Sequence, residues 1–229
     1  MLTIFSGSAI ESPLSSITKS ATEKKDTCMA ECDSVKNGWD VEVSGFYFGW
    51  GGTSSGGFTS TVKEVGIMNV VGVGYTFCDR NHLSLGVGYQ ARFYSLKSDF
   101  QYMRDDDHVT WIDLWDDGAK STQSSLTVHT IQFPLMYKMN VNKKFGFFLG
   151  AALDWNIYAK FDKSHKVGDT RYSENTKGLK QNKIGVDLMG GISFKRLGIY
   201  ARYSPCKVFK NDFGPEMKNT WTLGLAIGF

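Results

Sequence analysis

The chain has 229 residues and carries 26 Lys and Arg against 23 Asp and Glu, a net charge of +3. A balance so near neutral excludes a global nucleic-acid footprint. Aromatics make up 14% of the chain, which argues against disorder, and no stretch approaches the ~20 apolar residues of a membrane helix. With 25 Gly and only 4 Pro, the composition is that of a β protein, either a soluble sandwich or a membrane barrel.

Residues 1–38 read as a polar amino-terminal arm. Leu2-Thr3-Ile4-Phe5 followed by Gly7-Ser8-Ala9 is similar to the end of a signal peptide. The basic stretch and the ~7–15 apolar residues that should precede it are missing. A signal-peptide remnant and a chance likeness both stay open. Cys28 and Cys32 sit four apart, as a local disulfide or as free thiols, and Cys78 and Cys206 stand alone. With no Cys-x-x-Cys pair and no His at ligand spacing, no metal site or cofactor is assigned.

From Trp39 onward the period is two, the strand period. Residues 39–50 switch phase near Gly45, with Val41 and Val43 before it and Phe46 and Phe48 after it. A β-bulge reconciles the two halves. A long polar connection is expected over about 51–63. Residues 65–77 set Val65, Ile67, Val71, Val73, Tyr75 and Phe77 against glycines. Residues 83–94 alternate cleanly, with Leu83, Leu85, Val87, Tyr89, Ala91 and Phe93 on one face. After a polar connection over 97–123, strands are predicted at 126–138 and 145–156. Another long connection, 158–180, leads to strands at 183–194 and 197–204. A last connection, 205–218, precedes a strand ending at Phe229. That makes eight strands, joined alternately by short turns and long loops, as in an outer-membrane barrel.

Alternation does not say which face meets lipid. The polar face is rich in Gly, which suits a narrow lumen, whereas a solvated face would carry more Lys, Glu and Thr. The apolar face bears aromatics near the strand ends, including Tyr75, Phe77, Trp155, Tyr203 and Trp221, as interfacial girdles do. Phe229 closes a perfectly alternating strand, and barrel-assembly machinery reads a terminal aromatic of this kind. These features favour apolar outward. The expected fold is an all-β, eight-stranded antiparallel up-and-down transmembrane β-barrel over 39–229, with a soluble ligand-binding barrel as the alternative.

The segment Thr130-Ile131-Gln132-Phe133-Pro134-Leu135-Met136-Tyr137-Lys138 carries an aliphatic-Pro-Leu core and an aromatic-basic pair. With Val71-Gly72-Val73-Gly74-Tyr75, Leu85-Gly86-Val87-Gly88-Tyr89 and Leu223-Gly224-Leu225-Ala226-Ile227-Gly228-Phe229, it resembles the PorT-like group of small outer-membrane barrels of Gram-negative bacteria. The resemblance covers about 39–229. It implies an outer-membrane location and no shared chemistry.

Collecting inward charges sets Arg92, Lys138, Lys183 and Arg202 against Asp40, Glu42, Asp154 and Asp187. Buried charges need partners, so Arg92, Asp154, Asp187 and Arg202 are expected to form a lumenal network that plugs the barrel. The connection 97–123 holds seven aspartates, of which Asp105, Asp106 and Asp107 are a candidate cation-binding run, although a solvated acidic loop is the simpler reading. The connection 158–180 is basic and shares that end of the barrel, where the two are expected to pair. His129, Ser124, Ser125 and Asp117 offer the only approach to a lipid-modifying constellation, and no motif joins them, so no catalytic residue is assigned. The favoured function is structural, adhesive or part of an envelope or secretion complex. Its expected contacts are outer-membrane lipid, lipopolysaccharide, the assembly machinery through Phe229 and an unidentified envelope protein. A narrow transport pore and a lipid-modifying enzyme are the alternatives.

Overall fold

The computed structural model describes residues 37–55, 58–77 and 80–228. Phe229, Cys28, Cys32, Cys78 and nearly all of the arm 1–38 lie outside the described residues. Cys206 is a free thiol.

Eleven strands are present: β1 (Gly38–Ser55), β2 (Phe58–Phe77), β3 (Asn81–Ser95), β4 (Phe100–Arg104), β5 (Thr110–Leu114), β6 (Lys120–Asn140), β7 (Phe145–Val167), β8 (Thr170–Lys177), β9 (Ile184–Phe194), β10 (Leu197–Ser204) and β11 (Met217–Ile227). Eight of them pair antiparallel in the ring β1-β2-β3-β6-β7-β9-β10-β11, and β11 returns to β1. Closure leaves no sheet edge in the wall, which is what a chain without water to satisfy its backbone requires.

Three strands lie outside the expected eight. β4 and β5 make a separate hairpin within 97–123. β8 pairs with the upper part of β7 within 158–180. The stretch 51–63 is not a loop: β1 runs to Ser55 and β2 restarts at Phe58, with Gly51 to Ser55 paired across to β2. Its Ser, Thr and Gly residues look like a connection, yet the ladder carries them well past the apolar belt. The bulge expected near Gly45 is found between Glu42 and Ser44. A second, between Ile67 and Val71, turns both Met68 and Asn69 inward.

The face assignment is visible along β3. Ser84, Gly86, Gly88, Gln90, Arg92 and Tyr94 are buried, while Leu83, Leu85, Val87 and Tyr89 are exposed. The outward apolar band from Leu83 to Phe93 spans eleven residues, or ten residue-to-residue steps. At about 3.3 Å per residue and a tilt near 40° it stands about 25 Å tall, the height of an outer-membrane hydrocarbon belt. Trp39, Tyr75, Phe77 and Tyr137 follow one another around the short-turn rim with centroids 5.0 to 6.4 Å apart. Trp50, Trp155, Tyr203 and Trp221 are exposed toward the other rim.

Val87 and Leu114 are both exposed apolar residues, at 39% and 61%. Val87 lies at the middle of the belt and Leu114 on the β4–β5 hairpin beyond it. Val87→Arg is expected to cost ~2–4 kcal/mol of folding stability in lipid, and Leu114→Arg almost nothing. Urea titration of the heat-modifiable band checks this. Equal tolerance would mean that Val87 does not face hydrocarbon.

Candidate functional site: the barrel interior

Eight strands leave an interior that side chains can fill. They occupy it in four layers. At the short-turn mouth, His82 Nε2 lies 3.4 Å from Glu42 Oε2, His82 Nδ1 lies 3.0 Å from Thr76 Oγ1, and Asn69 Nδ2 donates to Glu42. Above them Met68, Met136, Phe148 and Met189 pack with the rings of Tyr47 and Tyr200. The third layer is charged. The fourth is apolar, with Val62, Tyr94, Leu126, Val128 and Phe161 meeting Tyr102 of β4, Leu179 and Phe209 from the connections.

The charged layer brings Arg92, Asp154, Asp187 and Arg202 together with a fifth residue, Glu64. All five are buried. Arg92 reaches across the lumen from β3 to Asp187 on β9, and its Nε lies 3.3 Å from Glu64 Oε2. Its Nη1 is 3.9 Å from Asp154 Oδ2. Arg202 Nη1 lies 3.4 Å from Asp187 Oδ2 and donates to Tyr47 Oη at 3.2 Å. Its guanidinium lies 4.5 Å over the Tyr47 ring, a cation–π contact made stronger by the burial of both groups.

Two guanidiniums face three carboxylates, so neutral donors complete the layer. Glu64 accepts from Tyr200 Oη and Thr222 Oγ1, each at 2.7 Å, and from Gln90 Nε2 at 2.8 Å. Ser204 donates to Asp187. Gln132 links the two sides: it accepts from Tyr47 Oη at 2.7 Å and donates to Gln90 at 3.1 Å and to Asp154 at 2.9 Å. Among the described residues the Nε of Arg202 is left without a hydrogen bond, 3.8 Å from Glu64.

The eight charges expected inside are distributed differently. Asp40 and Lys183 are exposed, and Glu42 and Lys138 belong to the short-turn mouth. Glu64 falls between the expected connection, about 51–63, and the expected strand, 65–77, and belongs to neither. Its signal is the parity of Val62, Glu64 and Gly66 against Lys63, Val65 and Ile67, extended upward from the apolar belt.

The connections hold less chemistry. Asp105, Asp106 and Asp107 are exposed in the turn between β4 and β5, where Asp105 Oδ1 accepts from Val109 N at 2.7 Å. Among the described residues no group of three or more His, Cys, Asp or Glu is placed to hold a metal. The acidic and basic connections meet, but through the Trp115 ring tilted against His165 with centroids 4.9 Å apart and through Arg104 Nη1 donating to Lys177 O at 2.6 Å. Lys160 and Lys163 pair instead with Asp162 and Glu174 of their own hairpin. Ser124 Oγ accepts from Tyr102 N inside the barrel, while His129 turns outward to Tyr89. Ser125 and His129 are four residues apart on one strand, roughly 13 Å, and Asp117 is exposed. No nucleophile–base contact forms among them.

A family model described as the outer membrane protein beta-barrel domain matches residues 40–205. The chain belongs to this family. It is an outer-membrane protein, and its short turns are of the kind that face the periplasm. Among solved structures, Neisserial surface protein A is similar with a TM-score of 0.39 and 14% identity, over 85% of this chain and 100% of that one. Ail, the attachment invasion locus protein of Yersinia pestis, is similar with a TM-score of 0.33 and 12% identity, over 81% of this chain and 97% of that one. No curated protein matches the chain.

Removing one member of a buried pair strands the other, at a typical cost of ~3–5 kcal/mol. Glu64→Ala is therefore expected to destabilise the barrel by about that much, and Asp40→Ala to leave it unchanged. Glu64→Ala combined with Arg202→Ala should cost less than the sum of the two by ~0.5–3 kcal/mol. Urea unfolding of the four variants reads this out. Strict additivity would show that Glu64 and Arg202 do not interact.

Proposed function

We propose that this is a non-conducting outer-membrane barrel whose role is structural or adhesive, or a part in an envelope or secretion complex, and that its work is done at its loop end. The observation that carries the reading is the charged layer, Glu64, Arg92, Asp154, Asp187 and Arg202, enclosed between two apolar layers. An ion crossing the lumen would have to part these pairs and pass both apolar layers. That arrangement supports a plug rather than a path.

Beyond the membrane belt, the β4–β5 and β7–β8 hairpins are joined through Trp115 and His165. They carry exposed Trp111, Leu114, Val167 and Tyr172. Aromatic and apolar side chains outside the lipid belt suit contact with another macromolecule. The separation of Ser124 from His129 favours this reading over a lipid-modifying enzyme. Kinship with the PorT-like group is part of the same proposal. It rests on the segment Thr130 to Lys138, which forms the wall of β6 where Gln132 meets Asp154.

In planar bilayers the refolded protein should pass no steady current. Photo-crosslinking in cells from Leu114 and Tyr172 should trap a protein that crosslinking from Val87 does not. A stable open-channel current would replace this reading with the narrow-pore one. Altered lipid A in expressing cells would favour the enzyme.

A further inference from the structure

The short-turn end has a distinct charge. Arg80 precedes β3, Lys138 lies near the end of β6, Lys143 and Lys144 form the β6–β7 turn, and Lys195 and Arg196 form the β9–β10 turn. Among the described residues none of these six cations is in an ion pair. At the loop end four lysines are paired, Lys160, Lys163, Lys207 and Lys218 with Asp162, Glu174 or Glu216, while Lys166, Arg171, Lys177 and Lys210 are in no ion pair among the described residues. The Glu216 carboxyl is held below its usual range by hydrogen bonding to Lys218.

Five of the six cations line one open cavity of about 640 Å³, together with Asn140, Asn142 and Ser193, and among the described residues no carboxylate lines it. The cavity lies at the lumenal mouth, where its lining residues Gly146 and Ser193 are followed by the outward-facing Phe147 and Phe194. Lys195 Nζ lies 5.8 Å over the ring of Phe194, and Phe194, Leu197 and Phe147 are exposed outward beside it. Val141, exposed in the same turn as Lys143, adds an apolar contact. Cations at the level of an aromatic girdle meet phosphates, and acyl chains continue along the wall.

We infer that the short-turn mouth binds an anionic glycerophospholipid of the inner leaflet, its phosphate held by Arg80, Lys143, Lys144 and Lys195 and its acyl chains lying on Phe147, Phe194 and Leu197. The turn cations come from all three short turns, β2–β3, β6–β7 and β9–β10, so the site tethers the short-turn end of the barrel to a negatively charged headgroup. Unpaired cations at this end would otherwise repel one another.

The test uses the full chain refolded in detergent micelles, with retained lipid read by native mass spectrometry against phosphatidylglycerol and phosphatidylethanolamine. Phosphatidylglycerol should be retained in strong preference. Each cation near an anionic lipid is worth about fivefold in affinity, so Lys143→Gln, Lys144→Gln and Lys195→Gln together should lower the preference about a hundredfold. The charge-preserving arginine triple should keep it. So should glutamines at Lys163, Lys207 and Lys218. Heat-modified gel mobility confirms folding of every variant. Equal retention of the two lipids, or an equal loss in the loop-end variant, overturns the inference. Displacement by inorganic phosphate at comparable concentration would mark a small-anion pocket and overturn the lipid assignment.

Discussion

The width of an eight-stranded barrel is the constraint on which the rest of this structure depends. The closed wall encloses a space about as wide as the side chains that enter it. Each large inward ring needs a vacancy beside it, and the glycine paired with it on the neighbouring strand supplies one: Gly66 for Tyr47 and Gly224 for Tyr200. A Cβ on Gly66 would come within 2.6 Å of Tyr47 Cζ, and one on Gly224 within 2.7 Å of Tyr200. The glycines of the polar face therefore make room for the two rings that hold Arg202 and Glu64 in place. Charges confined there are shielded from solvent and need partners: Arg92 meets Glu64 beside it on β2, and Arg202 meets Asp187 on the neighbouring β9. Arg92 also spans the lumen from β3 to Asp187 on β9.

The outside and the inside of the wall answer to different solvents, and a single strand serves both. On β3, Val87 meets lipid and Gln90 joins the buried network, three residues apart. Bulges at Glu42–Ser44 and Ile67–Val71 adjust phase without breaking the ring. Beyond the belt the strands continue as solvated ladders, and their inward faces build the apolar layer of Val62, Leu126 and Phe161. That layer covers the charges from the loop side, as Met68, Met136 and Met189 cover them from the other. The proposed closure of the lumen depends on all three layers together.

Much of this was legible from alternation. Within the belt one face must be apolar, so segments such as 83–94 announced themselves, and all eight wall strands were found. Outside the belt neither face need be apolar. Residues 51–63 and 158–167 thus carried no period-two signal strong enough to separate a solvated ladder from a loop. Glu64 falls between the expected connection, about 51–63, and the expected strand, 65–77, and with it went one of the two carboxylates that lie near both arginines. Arg92, Asp154, Asp187 and Arg202 were identifiable by parity, but their partners across the lumen were not. Parity gives the face of a residue, while cross-lumen contacts depend on tilt and side-chain reach. The acidic and basic connections were expected to pair by charge. The β7–β8 hairpin instead matches its lysines with its own acids, which local turn geometry brings closer.

The central claim is that Arg92 and Arg202 lie in a dry, paired layer between two apolar ones. Hydrogen exchange of their guanidinium protons, followed by NMR on ¹⁵N-arginine-labelled protein in micelles, tests this most directly. The account predicts two guanidinium groups protected far beyond the exposed Arg80, Arg171 and Arg196, with protection lost when Glu64 is replaced by alanine. Exchange of all arginines at the rate of the free amino acid would show that water fills the lumen and contradict the account.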